Sequence, residues 1–358
     1  MMLPPAIVLP AGGLLIGIAM GYAARRSRFC TLGALERYWY GNDATGVRSW
    51  ALAIATAIAA TQILIHSGAI DISGSFYLAA RLSLLGACVG GLIFGLGMAL
   101  VGTCGFGALI RLGGGNLQGL VVVLIIGIVG LATQSGLIAL ARVNYVESLA
   151  LSLAPATDQS LGGVANALFG IDIDVALAIA IPAAIIAWVF SEPGYRKAAL
   201  QIRSGVAIGL LIAAGWLVTA SVEANWIGLH PVQIESASFV APYGDVLRGI
   251  ISYPGDMLPD YGMGLVFGVT IGAAIAARRQ SELRWEACDD ARELKRHMAG
   301  AVLMGIGGIL ATGCTIGQGI SAASTLAISA PLVLASIVCG ARLGLAWLIE
   351  GSVRHVWT

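Results

Sequence analysis

The sequence predicts an all-α, polytopic integral membrane protein, and three observations carry that prediction. Hydrophobic residues make up 58% of the 358-residue chain and charged residues only 11%, whereas soluble domains carry about 25% charged residues. The apolar residues gather into nine stretches long enough for a helix to cross a bilayer. Glycine occurs 49 times, as expected where membrane helices pack closely or break inside the membrane. The same composition excludes other classes. A net charge of +1 leaves no basic stripe for nucleic acid. With only Lys197 and Lys295 as lysines and no GxxxxGK(S/T) loop, the chain does not hydrolyse ATP. The six cysteines form no CxxC pair and no Cys/His zinc spacing, so no metal, cofactor or disulfide framework is expected. The first apolar stretch lacks a basic leader, so no cleavable signal peptide is expected either.

In chain order, the first span covers residues 7–24 and ends at Arg25-Arg26-Ser27-Arg28. A polar loop over 36–49 leads to the second span, 50–66. Residues 71–82, with Phe76, Tyr77 and Arg81, read as an interfacial segment. The third span is 84–101, and the fourth, after Gly113-Gly114-Gly115, is 117–140. A loop with Pro155 and Asp172 precedes the short fifth span, 175–190, where Pro182 favours a kink. The sixth span is 206–222. The longest loop, 223–261, holds Pro231, Pro242, Pro254 and Pro259 with Trp226, Phe239, Tyr243 and Tyr253, and reads as an ordered cap on the membrane surface. The seventh span is 263–277. Residues 278–296 are the most charged stretch and read as a solvated helix. The eighth and ninth spans are 297–311 and 331–348.

One short phrase recurs beside three of these spans: Cys30-Thr31-Leu32-Gly33, Cys104-Gly105-Phe106-Gly107 and Cys314-Thr315-Ile316-Gly317. Cys88, Cys288 and Cys339 lack it. Glycine permits a tight turn, and a helix starting at that turn presents free N–H groups and a positive dipole end. A thiol at such a turn meets an anion together with backbone donors. Cysteine is also a small buried hydrophobe and glycine aids helix packing, but three copies favour function. The three sulfurs are expected on one path, with the other three off it.

Placing residues 25–49 in the cytoplasm puts Arg111, Arg196, Lys197, Arg203, the basic residues of 278–296 and Arg354 on that side. Only Arg81, Arg142 and Arg248 remain outside. The N-terminus then faces out and the C-terminus in. Cys104 and Cys314 consequently approach from opposite faces. Their surroundings align at one constant offset: Gly95, Gly97, Leu100, Gly107 and Ile110 match Gly305, Gly307, Leu310, Gly317 and Ile320. Two inverted four-span units, about 1–141 and 205–350, joined by a connecting span over 175–190, would make a single transport domain of this kind, with broken or re-entrant helices around a central site. One pattern disagrees. The glycines of the first span (Gly13, Gly17, Gly21) match the seventh (Gly264, Gly268, Gly272) better than the sixth (Gly205, Gly209), whereas crossing parity pairs the first with the sixth.

The segments SRFCTLGAL, GLGMALVGTCGFGALIRLGGGNLQGLVV and GIGGILATGCTIGQGISAAS closely resemble the YeeE/YedE sulfur-transport family of prokaryotic inner-membrane proteins. The resemblance covers the three cysteine regions and their flanking spans, while the long loops contribute little. It implies thiosulfate uptake by an hourglass-like protein, with Cys30, Cys104 and Cys314 touching the substrate and no catalytic residue. It also implies a separate, small cytoplasmic TusA-like sulfurtransferase as partner. Some relatives are assigned to selenium or other sulfur compounds.

The residue chemistry is compatible. Arg or Lys clusters would hold a dianion too tightly to release, whereas neutral thiols are weak donors and three in series give shallow stations. Such thiols must stay protonated, because thiolates would repel the anion. Thr31, Thr103, Thr315 and Gln318 are auxiliary donors or, alternatively, helix caps. Gly33, Gly105, Gly107, Gly313 and Gly317 shape the turns. Arg111 either draws anions to the inner mouth or anchors a helix end. A membrane sulfurtransferase passing persulfide would need a base beside a thiolate, and no His or Lys lies near any phrase. A metal channel would need His, Met or carboxylate partners, and Glu36 and Glu350 sit only at span ends.

Overall fold

The computed structural model describes residues 4–154, 156, 158–171, 173–226, 232–251, 259–287 and 290–351. Its helices are α1 Pro5–Ser27, α2 Thr31–Tyr40, α3 Thr45–His66, α4 Gly91–Val101, α5 Gly105–Gly113, α6 Leu117–Ser135, α7 Leu137–Ala141 and α8 Leu161–Phe169. They continue with α9 Asp174–Val189, α10 Pro193–Arg196, α11 Ala199–Asn225, α12 Val240–Ile251, α13 Tyr261–Arg279, α14 Ala291–Leu310 and α15 Ser329–Leu345. Wider π turns precede α4 (Gly86–Gly90), follow the third phrase (Gly317–Ala322) and extend α15 (Ala346–Glu350). Among the described residues the only strands are β1 Arg81–Leu82 and β2 Leu151–Ser152, paired antiparallel with Arg81 opposite Ser152.

All nine apolar stretches are helical, and the protein is an all-α polytopic membrane protein. Among the described residues, seven helical segments are long and apolar enough to cross a membrane. The other two are α9, only 16 residues long, and α14, whose first turns carry Arg292, Glu293, Lys295 and Arg296. Helices pair through glycine, because a missing side chain lets backbones approach and gain dispersion contact. On α1, Gly13, Gly17 and Gly21 face the backbone of Tyr261, Leu265 and Val269 on α13. In return Gly264, Gly268 and Gly272 face Pro10, Leu14 and Ile18. The shared glycine pattern of the first and seventh spans therefore has a plain cause: the two helices are each other's partner. Likewise α3 lies against Gly205 and Gly209 of α11, α4 against α15 and α14, and α6 against α14 and α12.

Three loops differ from their expected form. Within residues 71–82 a 3₁₀ turn at Phe76–Leu78 buries Tyr77 and Leu78, while Asp71, Phe76 and Arg81 stay exposed. The 223–261 loop is not a surface cap throughout. Residues 234–240 are buried and lead into α12, which packs on α6. The segment 278–296 is not one helix: α13 ends at Arg279, Glu286 forms an isolated bridge with Asn116, and α14 begins at Ala291. The fourth span also breaks, at Gly136. Pro182 sits inside a continuous α9. Pro155, Asp172, Pro231, Tyr253, Pro254, Cys288 and Arg354 lie outside the described residues.

Candidate functional site

The three cysteine phrases share one backbone solution. Each preceding helix ends, and a residue with left-handed φ stands two places before the cysteine: Arg28 (φ 54°), Gly102 (φ 75°) and Thr312 (φ 54°). Cys30 and Cys104 then adopt extended backbone as N-caps of α2 and α5. Cys314 opens the turn into the Gly317–Ala322 π segment. Only Gly102 adopts this conformation freely. At Arg28 and Thr312 a side chain is held there at a cost of order 1–3 kcal/mol, which the surrounding packing must offset.

These turns bring distant parts of the chain together. Cys30 Sγ lies 3.9 Å from Thr103 Oγ1, and Thr31 Oγ1 lies 3.9 Å from Cys104 Sγ. The first two phrases thus exchange thiol–hydroxyl contacts reciprocally. Thr315 of the third phrase is fully buried, and its side chain interacts with Cys104. Cys104 and Cys314 are buried, while Cys30 is half-buried. Cys314 Sγ accepts the backbone N–H of Gly317 at 3.5 Å.

The glycine three places after each cysteine has a separate task in each copy. A Cβ on Gly33 would only touch Cys30, with Sγ at 3.8 Å. On Gly107 it would collide with Thr103 Oγ1, and on Gly317 it would lie 2.8 Å from Tyr77 Oη and 2.9 Å from Ser238 Oγ. Gly105 offers its carbonyl to Tyr243 Oη of α12 at 2.8 Å, which ties the long loop to the second phrase. Gly313 (φ 156°) turns the chain beside Gln318. The Gln318 amide donates to Thr312 Oγ1 at 2.8 Å and to Ala311 O at 3.1 Å, closing the end of α14. Arg111 donates to Gly102 O at 2.7 Å and reaches Val101 O at 3.5 Å, so it caps the last carbonyls of α4. Gln318 and Arg111 thus bond to helix ends, and Arg111 also lines the cavity at Cys30.

Two cavities flank the buried sulfurs. One, of about 380 Å³, is lined by Cys30, Thr103, Gly107 and Arg111 together with Arg25, Arg28 and Glu282. Glu282 pairs with both arginines, at 3.4 and 3.6 Å. The other, of about 220 Å³, is lined by Ser238, Thr312 and Gly313 beneath Arg142, Glu235, Asp245 and Asp260. Burial, then the charges of Asp260 and Asp245, hold the Glu235 carboxyl well above the usual carboxylate range. Burial and the Asp260 charge push Asp245 up to about 6, against the opposing pull of Arg248. Burial also raises Asp260, partly offset by the Met263 N–H that it accepts as cap of α13. Of the described cysteines only Cys30 lines one of these two cavities; Cys104 and Cys314 are buried between helices, and Cys88 and Cys339 sit half-buried in the π turn before α4 and in α15.

The sequence profile of the family described as "Sulphur transport" matches residues 26–343. The chain belongs to that family. It is 27% identical to the thiosulfate transporter TsuA of Escherichia coli K12, over 97% of this chain and 92% of that protein. It is 24% identical to the thiosulfate transporter TsuA of Spirochaeta thermophila, over 94% of this chain and 98% of that protein. In this sulphur-transport protein the phrases are what sequence could single out, since they repeat. Tyr77, Ser238, Tyr243 and the three carboxylates were missed, because each comes from a non-repeating loop. The only hint was the aromatic and proline content of 223–261.

Proposed function

We propose that this protein takes up thiosulfate across the inner membrane, with the thiols of Cys30, Cys104 and Cys314 as successive weak hydrogen-bonding stations. The observation that carries the reading is the reciprocal pair Cys30–Thr103 and Thr31–Cys104, which joins residues far apart in the chain around one centre. The cavity lined by Cys30 and the cavity lined by Ser238, Thr312 and Gly313 support an hourglass-shaped path, and the names of the two relatives support the substrate. Neutral donors aligned with helix starts stabilise an anion without trapping it. The anion passes unchanged, so the protein acts as a transporter and not as an enzyme.

The arginine-lined cavity of Cys30 faces the cytoplasm in this reading, with the N-terminus outside and the C-terminus inside, and the excess of basic residues on that side supports it. Residues 1–141 and 205–350 act as inverted repeats within one transport domain, and α9 serves as the connecting span. Support comes from the pairing of helices: α1 with α13 corresponds to α11 with α3, and α4 with α15 corresponds to α14 with α6. Gly97 against Gly300 and Gly307 against Gly90 are the same contact under the repeat's offset. A small TusA-like sulfurtransferase is the cytoplasmic acceptor of the released anion.

The test is uptake of labelled thiosulfate at matched membrane levels. Cys104→Ala and Cys314→Ala should each abolish it while leaving folded protein, since removing a buried sulfur costs about 1–2 kcal/mol. Cys→Ser at either position should retain little uptake, because a hydroxyl is the harder and stronger donor. Wild-type uptake in the double alanine variant would end the proposal, and label recovered inside as a different compound would favour a sulfurtransferase.

A further inference from the structure

Beside Cys314 the structure holds two hydroxyls that no cysteine phrase supplies. Tyr77 Oη is buried, with the residue only 1% exposed, and the Ser238 hydroxyl is the one polar group that the described residues bring to it. Its ring is fixed, edge-on to Trp216 with centroids 6.2 Å apart and against Phe76 at 4.0 Å. Trp216 is itself anchored, its indole N–H donating to Ser324 Oγ at 3.0 Å. Ser238 comes from the buried stretch ahead of α12 and lines the 220 Å³ cavity. Both hydroxyls converge on Gly317, each within 3 Å of where a Cβ would stand. Two hydroxyls that meet only each other use one O–H in the contact and leave the second donor unsatisfied, which costs free energy in a buried place. The persistence of that donor inside rigid packing points to a ligand that completes it, and the cavity at Ser238 gives that ligand a way in.

The chemistry around Gly317 is two-sided. Cys314 is a soft, weak donor, and its sulfur already accepts the Gly317 N–H, leaving the S–H to point elsewhere. Tyr77 and Ser238 are hard O–H donors suited to charged oxygens. A thiosulfate ion is two-sided in the same way, with a terminal sulfur at one end and three sulfonate oxygens at the other. We propose that Tyr77 and Ser238 bind the oxygens of the anion at an outer station while Cys314 takes its sulfur end. This deepens the transport reading and rests on it. The station selects an oxyanion that also bears a soft atom, and Gly317 is glycine because the two hydroxyls occupy the space of its side chain.

The experiment measures initial rates of labelled thiosulfate uptake against concentration for the full-length protein in proteoliposomes. Tyr77→Phe keeps the ring and its packing and removes only the hydroxyl. Ser238→Ala is the second variant, should the first fail to insert. Each should raise KM by about 10- to 100-fold, the loss expected for one hydrogen bond to a charged group, with the maximal rate near wild type. A purely structural role would lower the amount of active protein, and thus the maximal rate, at unchanged KM. Unchanged KM in both variants, with wild-type uptake intact, overturns this proposal alone. No thiosulfate uptake by the wild type overturns the transport reading, and this proposal falls with it.

Discussion

Within the repeated phrase the same residue type answers to different neighbours, and this gives a sharp contrast to test. Gly33→Ala adds a methyl at ordinary contact distance from Cys30, so uptake should stay near wild type. Gly107→Ala forces Thr103 away from Cys30, and Gly317→Ala displaces the hydroxyls of Tyr77 and Ser238. Both should lose most uptake, with destabilisation of about 1–3 kcal/mol from overpacking. Equal activity in all three variants would remove the steric account of these glycines. The cysteines themselves were legible because the motif repeats and carries its own internal control in the cysteines that lack it. Tyr77 was not legible: a lone tyrosine beside Phe76 and Arg81 reads as an interface anchor, and only the 3₁₀ turn at Phe76–Leu78 turns it inward.

Each of the nine apolar runs falls on a helix, since a bilayer demands long hydrophobic segments with internally satisfied backbones; the short helices between them, such as α5 and α12, were not read from the sequence. Partner choice was harder to read. A glycine stripe declares that something packs close, not which helix does so, and the likeness of α1 to α13 turned out to mark contact. Within α1 the two kinds of glycine can be separated. At Gly17 a Cβ would sit 2.6 Å from Leu265 O and 2.9 Å from the Cα of Gly268, so backbone must move. At Gly12 the nearest atom is the Val218 Cγ1 methyl, 2.7 Å away at a side-chain end. Gly17→Ala should therefore lower thermal stability in detergent by about 1–3 kcal/mol. Gly12→Ala should be close to neutral, helped by alanine's better helix propensity. Equal losses at both positions would show that the α1–α13 seam is not what glycine serves.

At the scale of the molecule, charge distinguishes the two mouths. Arginines line the cavity at Cys30, while Glu235, Asp245 and Asp260 line the cavity at Ser238, Thr312 and Gly313. The acidic mouth was illegible in sequence, because Glu235 and Asp260 are 25 positions apart and only the inward course of the 234–240 stretch gathers them. An ionised trio repels an arriving dianion, so uptake should depend on whether these groups hold protons. Asp245 is the group to follow, with its carboxyl raised to about 6 by burial and by Asp260, opposed by Arg248; Arg142 also faces the cavity. An unfolded aspartate ionises near pH 4. Between about pH 4 and 6 the folded protein therefore keeps a proton that the unfolded chain has lost, and linkage makes stability fall as pH rises through that window. Thiosulfate stays a dianion throughout, so any change in rate belongs to the protein. In proteoliposomes held at equal pH inside and out, uptake should rise as pH is lowered from about 7.5 to about 5.5. Asp245→Asn, neutral at every pH, should be faster at the higher pH and respond less to acid. If that variant follows the wild-type profile, the carboxylates at this mouth do not govern passage of the anion.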